Sequence, residues 1–155
     1  MKYVGPLIAV KDMQKAKRFY HDVLGLDVVA DFGANVTLSG GLSLQAIDTW
    51  KAFIDKNDAQ IVLQNNAGEL YFEEDNIDRF MARLSQIKDI NYVHPLKEHA
   101  WGQRVVRFYD LDGHMIEVGE NIVMVVKRFA DRGLSPGEIA VVMDVPIDFV
   151  QSCLA

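Results

Sequence analysis

A chain of 155 residues, half of them hydrophobic and a quarter charged, can close one full core and is short for two. Its net charge of −6 and pI near 5.1 work against nucleic acid as the main partner, because affinity there rests on neutralising phosphates. No apolar run approaches the roughly 20 residues that a membrane span needs, and the single cysteine, Cys153, excludes an intrachain disulfide and any cysteine-rich metal site. The start, Met1-Lys2-Tyr3, runs directly into a strand pattern without the apolar region of a secretory signal. A reducing cytoplasm is the expected compartment, and the glycosylation sequon at Asn35-Val36-Thr37 is read as chance.

The first strand is predicted over residues 3–10. Asp12 then stands where an N-cap belongs, and Met13, Ala16, Phe19, Tyr20, Val23 and Leu24 form one helical stripe that Gly25 ends. Residues 26–30 and 35–38 read as strands joined by Gly33, Gly40-Gly41 as a tight turn, and residues 42–47 as another alternating strand. Residues 48–68 fit this plan least and are taken as a connection. Thr49 is expected to cap a short helix over 49–54, residues 60–63 to form a short strand, and 65–68 to turn. Trp50 and Phe53 either pack that helix or form a lid.

The plan then recurs. Residues 69–75 read as a strand, Asn76 as an N-cap, and Ile77, Phe80, Met81, Leu84 and Ile87 as a buried helical stripe. Further strands are predicted over 90–93, 103–109 and 114–118, with a polar loop at 94–102 and a turn at 110–113. Repeated supersecondary units usually pair, because neither buries its apolar face alone. The expected fold is α+β: two tandem βαβββ modules, about 1–47 and 69–120, giving a cupped eight-stranded mixed sheet with helices on its outer face.

From residue 121 a helical extension follows. Val123, Val126, Phe129 and Ala130 make a stripe ending near Gly133, Ser135-Pro136-Gly137-Glu138 is a capping box, and Pro146 opens a last helix with Phe149 and Val150 inward. The last two helices resemble a helix-turn-helix, but residues 147–155 hold no Lys or Arg, and Asp148 would repel phosphate. DNA reading is rejected. The apolar stripes are expected to pack against the domain or a second subunit, and a homodimer is the expected state.

Val10-Lys11-Asp12 with Phe19-Tyr20 and Val23-Leu24-Gly25 resembles the opening of the vicinal-oxygen-chelate superfamily, which includes glyoxalase I, bleomycin-resistance proteins and extradiol dioxygenases. Trp101-Gly102, Arg107-Phe108-Tyr109-Asp110-Leu111-Asp112-Gly113 and Ile116-Glu117 resemble its closing motif, so the likeness covers about residues 1–120. The resemblance implies a divalent metal held by inward side chains from the first and last strand of each module. Carried over by motif, those positions are Gly5, Gln45, Glu69 and Glu117. Glycine offers no side-chain ligand, which leaves Gln45, Glu69 and Glu117 as the candidate metal set.

Strand alternation turns Gln45, Glu69, Tyr71, Arg107, Tyr109 and Glu117 into the cup, with Leu7, Ala9, Tyr71, Met115 and Trp101 as its apolar walls. Two readings of the inward carboxylates stand open. Glu69 and Glu117 bridge an oxygen-preferring ion and shuttle a proton as catalytic residues of a lyase, isomerase or dioxygenase, or Arg107 neutralises them and no metal binds. The first choice of function is binding or sequestering a small organic molecule, of the drug-resistance kind, without a required cofactor. Of the four histidines, His21 is expected on the surface and His114 at a turn; His94 and His99 are read as loop residues that serve as acid or base only if the loop covers the cup.

Overall fold

Regular structure starts four residues later than predicted, at β1 (Leu7–Val10). Pro6 has no amide to give a sheet, and Gly5 lies flat against Gly41, where an added Cβ would stand 2.2 Å from the Gly41 carbonyl oxygen. The computed structural model describes residues 1–155. They divide into two compact units: Met1–Glu69 with Tyr109–Met115, and Leu70–Phe108 with Ile116–Ala155.

In the first unit β1 is followed by α1 (Met13–Leu24), β2 (Val28–Asp31), β3 (Asn35–Leu38), β4 (Ser43–Ala46) and α2 (Ile47–Phe53). The sheet order is β1-β4-β3-β2, with β1 parallel to β4 and the other pairs antiparallel. The predicted caps of α1 both form. The Asp12 carboxylate accepts from the Lys15 amide at 3.0 Å, and Gly25 closes the helix in the left-handed conformation at φ 70°. Ala16, Tyr20 and Val23 of the stripe are buried with Val10, Val36, Leu38 and Leu44 of the sheet, each large aliphatic contributing roughly 1.5–3 kcal/mol.

Two local expectations fail here. Thr49 does not cap a helix; α2 starts at Ile47, directly off β4, and the Thr49 hydroxyl instead donates to the Ala46 carbonyl at 2.7 Å. Residues 60–63 form no strand. Asp58–Gln60 is one 3-10 turn, closed by a capping box between Asn57 and Gln60, and the Ile61 amide bonds back to Asp58. Local side-chain bonds won over the short apolar run.

Four more strands and four helices follow: β5 (Glu69–Glu74), α3 (Ile77–Leu84), β6 (Asn91–Glu98), β7 (Arg104–Tyr109), β8 (Met115–Glu120), α4 (Ile122–Asp131), α5 (Pro136–Met143) and α6 (Ile147–Leu154). Their sheet order, β5-β8-β7-β6, is the first sheet's order four strands on. All eight expected strands are thus present, as two four-stranded sheets. Asn76 caps α3 as predicted, accepting from the Arg79 amide at 2.9 Å. The predicted polar loop at 94–102 is wrong in its first half, since β6 runs through His94 and Pro95 to Glu98. It lies at the sheet's edge, where a missing amide is tolerated.

The capping box at Ser135 and Glu138 forms, with Pro136 in the first helical turn. The last three helices share a core of Val125, Val126, Phe129, Ile139, Met143 and Val150, with Cys153 against it. No helix is long and apolar enough to cross a membrane.

The turn at 110–113 forms around the buried Asp110. Its Oδ1 accepts the Asp112 and His114 amides at 2.9 and 2.8 Å, and its Oδ2 accepts the Tyr20 hydroxyl at 2.7 Å. Burial, then the Asp110 charge, push the Tyr20 phenol well above its ordinary 10.0, so it remains a donor. Tyr20→Phe is expected to lower unfolding free energy by about 1.5–3 kcal/mol, the usual worth of a hydrogen bond to a charged group. The reading is a lower urea midpoint at unchanged slope.

Candidate functional site

Four predicted site residues lie in the first unit, with the predicted wall residues Leu7 and Ala9. Gln45 is 3% exposed and fully engaged: its Oε1 accepts from Asn35 at 2.8 Å and its Nε2 donates to Thr49 at 2.5 Å. Asn35 faces Gln45 in the β3–β4 register, which explains the pair. Tyr109 donates to the Asn66 side chain at 2.5 Å, Met115 is half-buried and Glu69 is exposed. Leu7 and Ala9 line a cleft of about 440 Å³ with Trp50, Ile61 and His114, whose Nε2 lies 2.7 Å from the Ala9 carbonyl oxygen. Phe53 is 70% exposed and takes no part in it.

The second unit brings the other four together with residues that the sequence did not single out. Leu70 and Phe72 of β5 are half-buried while Tyr71 and Glu73 are exposed, as alternation requires. Glu117 on β8 is ion-paired with Arg107 on the neighbouring β7. The other nitrogen of that guanidinium, Nη1, lies 3.4 Å from His94 Nε2. His94 Nδ1 is 2.8 Å from the Pro95 carbonyl oxygen, which places the proton on Nδ1 and leaves Nε2 to accept from Arg107. His94 is therefore a strand residue bracing a guanidinium, not the loop histidine that was expected.

Beside this group the rings of His99 and Trp101 stack, with centroids 4.2 Å apart and planes 9° off parallel. Trp101 Nε1 donates to Gln103 at 3.3 Å; Gln103 donates to the Tyr71 hydroxyl at 3.1 Å and to the Glu120 carbonyl at 3.0 Å. Tyr71 in turn donates to Glu73 at 3.0 Å. Desolvation first, then the charges of Lys97 and Arg107, pull the His99 pKa below 6.5, which favours its neutral ring. The face thus combines a half-exposed aromatic platform, Trp101 at 41%, with the Arg107–Glu117 pair and Lys97.

Glu120, three residues beyond Glu117, points to the opposite face of β8. It is 3% exposed and clasped by Arg104, at 2.8 and 3.1 Å, and by Arg128 of α4, at 2.9 and 3.1 Å. Burial raises its carboxyl, but the hydrogen bonds from the two arginines outweigh that, and its pKa falls below 4.5.

The metal that the resemblance implies does not fit these residues. Gly5 has no donor and no room for one beside Gly41. The Gln45 amide is committed on both ends, Glu117 is matched by a guanidinium, and no three His, Cys, Asp or Glu side chains converge to hold an ion. What the second unit's face can do is bind and orient: its arginine neutralises charge and its platform stacks.

Comparison with known proteins fits this architecture. The family model of the glyoxalase-like domain matches residues 3–123. A crystal structure of a protein of unknown function from Agrobacterium tumefaciens is 37% identical, with a TM-score of 0.70 over 78% of this chain and 94% of that one. A lactoylglutathione lyase from Agrobacterium tumefaciens is 25% identical, with a TM-score of 0.56 over 76% and 92%. A glyoxalase/bleomycin resistance protein/dioxygenase superfamily member from Sphaerobacter thermophilus is 22% identical, with a TM-score of 0.56 over 78% and 98%. No curated protein matches the chain. The chain belongs to the glyoxalase-like family, within the vicinal-oxygen-chelate superfamily.

Two tests follow from the paired carboxylates. Arg107→Leu strands Glu117, whose side chain is 7% exposed, and is expected to cost about 3–5 kcal/mol. The double variant with Glu117→Gln should recover much of that loss, since contacting residues are not additive; a single-variant loss below about 1 kcal/mol would show that the pair is not needed. Because the folded pKa of Glu120 lies below its ordinary 4.5, its contribution is complete above that value and drains away as pH falls through the lower one. Glu120→Gln should therefore flatten the acid limb of a denaturation-versus-pH curve below about pH 4.5.

Proposed function

We propose that this protein binds a small planar organic anion on the Arg107–Trp101 face of its second sheet, by direct contacts and without a metal, in a binding or sequestering role. The carrying observation is the braced guanidinium: Arg107 is held by Glu117 on one side and His94 on the other, beside the stacked rings of His99 and Trp101. A side chain fixed in this way loses little freedom when a ligand arrives, which lowers the cost of binding. Lys97 adds charge of the same sign near His99. An apolar platform with a few fixed polar groups is the ordinary make-up of a small-molecule site.

Calorimetry with 2-naphthoate, 2-naphthamide and 2-naphthylmethylammonium tests the reading. Naphthoate should bind at least about tenfold more tightly than the neutral amide, a difference of about 1.4 kcal/mol, and the cation least. In a Trp50→Phe protein, whose one remaining indole is Trp101, naphthoate should change the tryptophan emission. Trp101→Ala should weaken binding by about three- to tenfold, the worth of one aromatic contact. Equal affinity for amide and carboxylate, or no binding by any of the three, counts against this function.

A further inference from the structure

We propose that the C-terminal helices complete the ligand face, with Arg128 and Phe129 of α4 acting as positioning residues for the turn that carries Trp101 and Gln103. This rests on the anion-binding reading above and adds a part that the family domain does not supply. The family match ends at Val123, so both residues lie beyond it.

The contacts converge on Gly102. Arg128 Nη2 donates to the Gly102 carbonyl while the same guanidinium clasps Glu120, with Nη2 at 2.9 Å and Nε at 3.1 Å. Its Nη1 lies 3.6 Å from Glu98, at the other end of the same turn. Gly102 has φ 87°, and a Cβ there would stand 2.2 Å from the Phe129 ring, so ring edge and backbone touch with no space for a side chain. The turn has two main-chain bonds of its own, the Gly102 amide to His99 at 2.8 Å and the His99 amide to Gln103 at 2.9 Å. The indole is held to its own turn by the 3.3 Å bond to Gln103 and the stack on His99, and the contacts from α4 fix that turn to the rest of the unit.

The turn's other side is the ligand face. Trp101 stacks on His99, and Gln103 ties the turn to Tyr71 of β5. Gln103 also bonds the Glu120 carbonyl, so Glu120 grips the turn through its main chain while its carboxylate grips Arg128. A shift of α4 is passed to Trp101 through rigid, doubly anchored groups. A tail that only added core volume would need neither the guanidinium on a turn carbonyl nor the ring against a glycine.

Hydrogen exchange of the full chain tests the positioning without any ligand. Arg128→Met, and separately Phe129→Leu, should speed exchange of the His99 and Gly102 amides about tenfold, as local opening becomes easier, while amides of β7 and β8 stay protected. Arg128→Met keeps Arg104 on Glu120, so the buried carboxylate retains a partner and the variant should fold. Ile139→Val loosens the helical core without touching the turn and should leave both amides unchanged. Naphthoate affinity should fall about three- to tenfold in the two α4 variants and stay at the wild-type value in Ile139→Val.

Unchanged exchange at His99 and Gly102 in both α4 variants overturns the inference. So does faster exchange with undiminished naphthoate affinity, which would make the contact structural only. If the wild type binds none of the three naphthyl probes, the anion-binding reading has failed on its own, and the role of Arg128 and Phe129 is then decided by the exchange of the two amides.

Discussion

A carboxylate removed from water must meet a cation or several donors, and the second unit is organised around two such groups on one strand. Glu117 and Glu120 stand three apart on β8, so they project to opposite faces of the sheet. Each is nearly inaccessible, and each is answered from β7, by Arg107 and Arg104, which also stand three apart. Desolvating an ion costs several kcal/mol, which only close pairing offsets. The two pairs therefore fix the two faces of the unit. One arginine also bonds Asp78 at the start of α3 and shares Glu120 with Arg128 of α4; the other lies beside His94.

The family motif is structural where it is most recognisable. Phe19-Tyr20 in the opening segment and Asp110-Leu111-Asp112-Gly113 in the closing one meet through the Tyr20–Asp110 hydrogen bond. Asp110 spends its remaining capacity on two amides of its own turn, and Gly113 takes φ 92° beneath Gln64, where a Cβ would come within 2.8 Å. These residues hold a helix and a turn together within the first unit. The family is legible from them because their contacts build the fold itself.

What could be read from the sequence was what is encoded within four or five residues. Asp12, Gly25, Asn76, Ser135 and Glu138 each act on neighbouring amides and carbonyls, and each stands as predicted. The Glu69–Glu74 alternation was likewise visible, since one face of β5 is open. Errors arose where a local signal competes with a distant one. Pro95 and His94 read as loop, although an edge strand admits them. Thr49 read as a cap, but Gln45 across the β4–α2 corner claims its hydroxyl. Arg128 and Gly102 are separated by 26 positions, and nothing in either segment announces the other. The equal spacing of Arg104 with Arg107 and Glu117 with Glu120 was the one readable sign of the paired network.

The fold leaves this chain with the frame of a metal-binding family and a different occupant for one of its charges. A divalent ion and a guanidinium both neutralise Glu117, but their chemistry diverges. The ion acts as a Lewis acid and lowers the pKa of an oxygen bound to it. The guanidinium stays protonated, offers fixed planar donors and stacks on aromatic faces. Gly5, closed against Gly41, and Gln45, committed to Asn35 and Thr49, remove donors from the first unit that an ion would require. With Arg107 in place, Glu117 meets fixed, planar, directional donors where an ion would otherwise stand as its charge partner.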